Sequence, residues 1–113
     1  MIVVDTSAVI AIFRREDDAV DFVQRVAADD GPMMSKAERW LDDFIETAGI
    51  RIEQVTPDQA RMARSPHLRF GKGTGHGAAL NYGDCFAYGL AKAMDAPLLC
   101  KGNDFPLTDI NIA

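Results

Sequence analysis

The chain opens on Met1, Ile2, Val3 and Val4, apolar at successive positions, and Asp5 then breaks the run. A short β-branched segment that is apolar on both faces is the pattern of a strand inside a parallel sheet. Asp5 is therefore expected at the carboxyl end of a buried strand. Residues 8–13 continue as an apolar, helix-like stretch. Glu16, Asp17 and Asp18 then form the acidic first turn of an amphipathic helix carrying Ala19, Phe22, Val23, Val26 and Ala27, closed by Asp29, Asp30, Gly31 and Pro32.

Met33, Met34 and Ser35 read as a short strand. Behind them Ala37, Trp40, Leu41, Phe44, Ile45 and Ala48 recur at helical spacing, and Gly49 stands where a C-terminal cap belongs. Residues 50–55 alternate apolar and polar, as a half-buried strand does. Thr56 and Pro57 supply the N-cap and first position of a further helix, expected to bend or stop near Ser65 and Pro66. Four glycines within residues 71–77 mark a loop. Tyr82, Gly83 and Asp84 start a largely apolar helix through Cys85, Phe86, Tyr88, Leu90, Ala91 and Met94. Pro97, Leu98, Leu99 and Cys100 form a strand, residues 101–105 a turn and residues 109–112 an edge strand. Strands alternating with helices predict an α/β fold: a central, mostly parallel sheet between helical layers, joined by right-handed crossovers.

A length of 113 residues fits one domain, and 48% hydrophobic with 26% charged residues is the composition of a globular protein. Twelve basic against seventeen acidic residues leave a net charge of −5, so the average field repels polyanions and any nucleic-acid contact must be local. The longest apolar run, residues 8–13, falls far short of the ~20 residues of a membrane span, and no leader pattern precedes it. A soluble, cytoplasmic protein is expected. Cys85 and Cys100 have neither a partner cysteine nor a histidine at ligand spacing, and both sit in apolar stretches, where a thiol packs as a small hydrophobe.

Candidate chemistry lies in three aspartates at the ends of apolar elements. Ligands of open parallel sheets bind beyond the carboxyl ends of the strands, so Asp5 and Asp104 would share one rim, with Asp84 at a helix start facing them. Three close carboxylates repel one another and are relieved by protonation or by a cation; an all-oxygen set points to Mg²⁺ or Mn²⁺. The same residues also suit purely local duties: Asp5 as a cap beside Thr6 and Ser7, Asp84 against its helix dipole, Asp104 in an Asx turn. Spacing leaves both readings open. Arg61, Arg64, His67, Arg69, Lys72 and His76 form the densest basic stretch, suited either to phosphates or to a solvated helix face. Residues 71–75 lack the spacing of a phosphate-binding loop.

The opening run from Met1 to Ala8 resembles that of PIN-domain proteins. Residues 79–92, around Asn81, Tyr82, Gly83, Asp84 and Cys85, and residues 98–110, around Gly102, Asn103, Asp104, Phe105 and Asp109, resemble their VapC branch. Arg64, residues 57–60 and residues 71–73 are similar too. The resemblance implies a three-layer α/β/α fold and a toxin of a toxin–antitoxin pair that cleaves RNA with Mg²⁺ or Mn²⁺. Asp5, Asp84 and Asp104 would be catalytic, metal-binding residues, Thr6, Ser7 and Asn103 their support, and Arg64, Arg69 and Lys72 the RNA contacts. A cognate antitoxin and a second copy of the chain would be its partners, and no membrane is involved. Chains of this branch carry a helix with a glutamate after the second strand, and here about a helix length is absent near residues 35–36. Glu38, Asp42, Asp43 and Glu46 are the nearby acids. The alternative is a degenerate, catalytically weak or inactive domain that binds antitoxin or itself through Phe13, Phe22, Val26, Trp40 and Phe44.

Overall fold

In the computed structural model, β1 (Val3–Val4) and β2 (Leu98–Leu99) lie parallel, with Val3 opposite Leu98 and Val4 opposite Leu99. The structure describes residues 1, 3–6 and 33–113. The stretches predicted over residues 8–13 and 16–32, Ser7, and the apolar Phe13, Phe22 and Val26 lie outside the described residues. Two compact units divide the chain, Met1–Phe13 with Val55–Ala113, and Arg14–Gln54.

Within the first unit, α2 (Pro57–Phe70) and α3 (Tyr82–Ala93) pack on each other and α3 packs on both strands. Thr56 caps α2 as expected, its hydroxyl accepting from the Gln59 N–H while the Gln59 side chain accepts from the Thr56 N–H, each at 3.1 Å. The helix does not stop at Pro66. Helix α2 continues to Phe70 with Pro66 fully buried, so packing of the ring offsets the hydrogen bond it cannot donate. The helices approach closely at Gly89: a Cβ there would stand 3.4 Å from the Gln59 carbonyl oxygen and 3.5 Å from the Ala63 nitrogen. Val3, Ala63, Phe70, Leu80, Cys85, Tyr88, Leu98 and Phe105 are among the buried residues of the resulting core.

The C-terminal edge strand shrinks to one bridge. Leu98 N–H donates to the Asn111 carbonyl at 2.8 Å and Ala113 N–H to the Leu98 carbonyl at 3.0 Å, placing Ile112 beside β2. Residues 50–55 are not a strand: Ile52 and Val55 are exposed and no ladder pairs with them. Alternation marks strand capacity, and capacity without a neighbouring strand yields no sheet. The described residues thus show a helix-rich unit around two short parallel strands.

In the second unit, α1 spans Met33–Thr47, so Met33, Met34 and Ser35 are helical rather than a strand. Methionine is a good helix former, and no turn residue separates Ser35 from the periodic stretch that follows. Gly49 closes the helix as expected: its N–H donates to the Glu46 carbonyl at 3.1 Å and the Ile50 N–H to the Ile45 carbonyl at 2.9 Å, a Schellman pair. Trp40 and Phe44 stack with ring centroids 5.4 Å apart.

A polar clasp ties α2, α3 and the C-terminal segment together. Tyr88 Oη donates to Asp109 Oδ1 at 2.6 Å, Arg69 Nη1 donates to Oδ2 at 3.2 Å, and Lys92 Nζ reaches the Asp109 carbonyl at 2.9 Å. The Tyr88 hydrogen bond is the main cause holding the Asp109 carboxyl below its ordinary range. Burial first, and then Asp109, push the Tyr88 phenol up to about 12. Tyr88→Phe is expected to cost about 1 kcal/mol by urea unfolding, the value of a charge-assisted hydrogen bond discounted for a half-exposed carboxylate. A depressed acid stabilises above its unfolded pKa of ~3.9, so the difference between variant and parent should be flat near neutrality and shrink as pH falls through Asp109's lowered value. A difference that grows on acidification would contradict this account.

Candidate metal and RNA site

Three local constructions deliver the three aspartates. The parallel register carries Asp5 just past β1, where its N–H donates to the Leu99 carbonyl at 3.0 Å. Asp5 is therefore pinned beside Cys100 and half-buried. Its charge reaches Cys100, whose thiol is pushed up by burial first and by Asp5 second. Beyond β2 the chain turns through Gly102, at φ +102°, a left-handed value that disfavours any side chain. Asp104 follows, exposed, at the start of a short 3₁₀ turn (Phe105–Leu107) whose anchor is the buried Phe105. The Asp104 side chain makes no capping hydrogen bond, so the Asx-turn duty open to it in the sequence is not exercised.

Asp84 does perform its local duty. Asn81 is the N-cap of α3: its Oδ1 accepts the Asp84 N–H at 2.9 Å, and Asp84 Oδ2 accepts the Asn81 N–H at 2.8 Å. This capping box fixes the Asp84 rotamer and occupies one carboxylate oxygen, leaving Oδ1 for other work. The reciprocal Asn81 partner was missed in the sequence, although an asparagine three residues before an aspartate at a helix start is its signature.

The electrostatics join the three. Asp84's carboxyl is raised above its ordinary value, chiefly by burial, and further by the charges of Asp5 and Asp104; the Asn81 hydrogen bonds pull the other way. Asp84 thus feels the charges of two residues that follow β1 and β2, 79 and 20 positions away along the chain. Among the described residues, no group of three His, Cys, Asp or Glu side chains is gathered closely enough to hold a metal ion. Carboxylate oxygens are hard donors, the type that suits a divalent cation such as Mg²⁺.

Thr6 and Asn103 are exposed beside Asp5 and Asp104, while Ser7 lies outside the described residues. Glu38, Asp42, Asp43 and Glu46 are all exposed on α1, in the second unit. The basic residues divide. Arg69 is held by Asp109 and its guanidinium lies 4.5 Å from the Phe70 ring centroid, giving it a structural post. Arg61 pairs with Asp58 on the same helix. Arg64 and Lys72 are exposed, Lys72 in a loop closed by its N–H to the Leu80 carbonyl at 2.8 Å. Cys85 is buried and donates its thiol to the Asn81 carbonyl, and both cysteines are free. No helix among the described residues is long and apolar enough to cross a membrane.

No family model matches the chain. Individual curated proteins do. Ribonuclease VapC28 of Mycobacterium tuberculosis is 43% identical over 128 residues, covering 98% of this chain and 96% of the relative. Ribonuclease VapC30 of the same organism is 42% identical over 125 residues, at 96% and 95% coverage. Ribonuclease VapC of Mycolicibacterium smegmatis is 42% identical over 125 residues, at 96% of each chain. The 128 positions of the first match take in about 111 residues of this chain, 98% of 113, so about 17 positions of the relative have no counterpart here.

Proposed function

We infer the function from kinship: this chain belongs to the VapC ribonuclease family, and it is the toxin ribonuclease of a toxin–antitoxin pair. The finer reading that follows is our proposal. The chain is a single PIN-like domain, three layers around a mostly parallel sheet of which β1 and β2 form part. It works in the cytoplasm, forms homodimers and is neutralised by a cognate antitoxin protein. Asp5, Asp84 and Asp104 are its catalytic and metal-binding residues and Mg²⁺ or Mn²⁺ its cofactor. The observation that supports this assignment is the placement of Asp84, half-buried at the start of α3, with its carboxyl raised first by burial and then by the charges of both Asp5 and Asp104.

Each residue has a definable task. Asp5 is immobilised by its backbone bond to Leu99 and presents a half-buried carboxylate. Asp84 offers the oxygen its cap does not use, in a partly desolvated position where charge interactions are stronger than in water. Asp104 sits on the exposed side of the turn, where a phosphodiester can approach, with Asn103 and Thr6 as neutral polar neighbours. A divalent ion bound by these carboxylates supplies Lewis-acid polarisation of the phosphodiester and a water of lowered pKa. No side chain need act as a covalent nucleophile: both thiols are pushed up by burial, away from the reactive thiolate.

A second reading is favoured by the missing 17 or so positions and by the lack of a closed ligand set among the described residues. We propose that the absent segment falls near residues 35–36, which would leave the acidic cluster one carboxylate short and the enzyme slow. In the extreme, the domain would only bind antitoxin. One assay separates the readings. Purified protein with millimolar Mn²⁺ or Mg²⁺ is expected to cleave unstructured RNA, and chelation with EDTA to stop it. Intact RNA in the presence of an antitoxin-binding chain, with VapC28 cleaving in parallel, would leave only the binding module.

A further inference from the structure

The first residue of α3, two positions before Asp84, places an aromatic ring where the capping logic of the helix asks for none. Tyr82 is 68% exposed, yet its ring is not loose. It meets the Phe86 ring edge to face at 5.1 Å between centroids and the His67 ring edge to face at 6.2 Å. Phe86 is packed against the core and His67 lies near the end of α2, so two helices hold the phenol from two directions while most of its surface faces solvent. The edge-to-face geometry restricts the ring without covering it.

The surroundings are polar and locally cationic. On α2, Arg64 and His67 are one turn apart and share a face. Of the three arginines on α2, Arg61 pairs with Asp58 and Arg69 with Asp109, whereas among the described residues no ion pair engages Arg64. A strip therefore runs from Arg64 through His67 to Tyr82, and Tyr82 lies two residues from Asp84 on the same helix end. In a chain with net charge −5, Arg64 is an exposed positive charge one helical turn from the His67 that meets Tyr82.

We propose that Tyr82 is a stacking platform for an unpaired RNA base next to the scissile phosphate, with Arg64 contacting the backbone one or two nucleotides away. Single-stranded RNA is recognised by splaying bases onto aromatic rings and by cations tracking the phosphates, a mode that duplex RNA cannot satisfy. Tyr82 is then a binding residue that sets preference for unpaired RNA, while the carboxylates do the chemistry. This inference rests on the ribonuclease reading above.

The test uses labelled single-stranded RNA, with anisotropy measured in EDTA so that binding is read without cleavage, and steady-state cleavage in Mn²⁺. Tyr82→Ala is expected to weaken binding at least about fivefold, the lower end for loss of one base–aromatic stack. KM should rise by a similar factor with kcat within about twofold of the parent, as for the loss of uniform binding. Tyr82→Trp should restore both, and Arg64→Ala should weaken binding and flatten its salt dependence. A Tyr82→Ala variant that binds and cleaves like an active parent would overturn the platform alone. A parent chain that neither binds nor cleaves RNA would overturn the platform and the ribonuclease reading together.

Discussion

Asp84→Asn is expected to lower RNA cleavage at least about 100-fold while leaving the melting temperature equal to or above that of the parent at pH 7. The two halves of this result come from different atoms. The variant's amide oxygen can still accept the Asn81 N–H, so the capping box that starts α3 survives. What disappears is the negative charge. Its favourable interaction with the helix N-terminus is lost, but that is a few tenths to about 1 kcal/mol. Against it stand the burial of the carboxylate and the repulsion from Asp5 and Asp104, and these win, because the carboxyl is raised on balance. An acid whose folded pKa is raised confers stability that is fully present below its unfolded pKa, ~3.9, and lost as pH rises through the folded value. At pH 7 the parent has lost it and the variant has not. The thermal advantage of Asp84→Asn should therefore close as pH falls into the ordinary carboxylate range. A variant that is inactive because its melting temperature has collapsed would show that Asp84 serves the fold and not the chemistry.

How much of this was legible beforehand differs from residue to residue. The caps of α1 and α2, the start of α3 and the placement of Asp5 and Asp104 on one rim are local or follow from strand direction, and the sequence carries such information directly. Pro66 misled because a proline's cost is local while its compensation, full burial, is tertiary. Residues 33–35 and 50–55 misled for a related reason: short apolar or alternating stretches suit helix, strand or coil, and neighbours decide. Arg69 looked like a phosphate contact because its partner Asp109 lies 40 residues away. Asp84 is the instructive case: read in the sequence either as a charge against its helix dipole or as one of an acidic group, it accepts the Asn81 N–H in a capping box and also feels the charges of Asp5 and Asp104.

Restoring the absent segment should then tighten the proposed cation site more than any single substitution. A chimaera would carry the roughly 17 extra residues of VapC28 between Ser35 and Lys36, with a second version differing only in neutralisation of the segment's acidic residues. Oxygen-ligand cation sites are tuned by the number of charged ligands, so one further carboxylate added to Asp5, Asp84 and Asp104 should lower the Mn²⁺ concentration needed for half-maximal thermal shift about tenfold or more. Cleavage at limiting metal should rise in proportion. The neutralised chimaera supplies the control: it gains the same helix and the same packing, so any stability that comes from filling the fold appears in both, and only the charge-dependent part separates them. If both chimaeras titrate with Mn²⁺ as the parent does, the shortened chain lacks no ligand. Its three aspartates would then already supply whatever carboxylates the site uses.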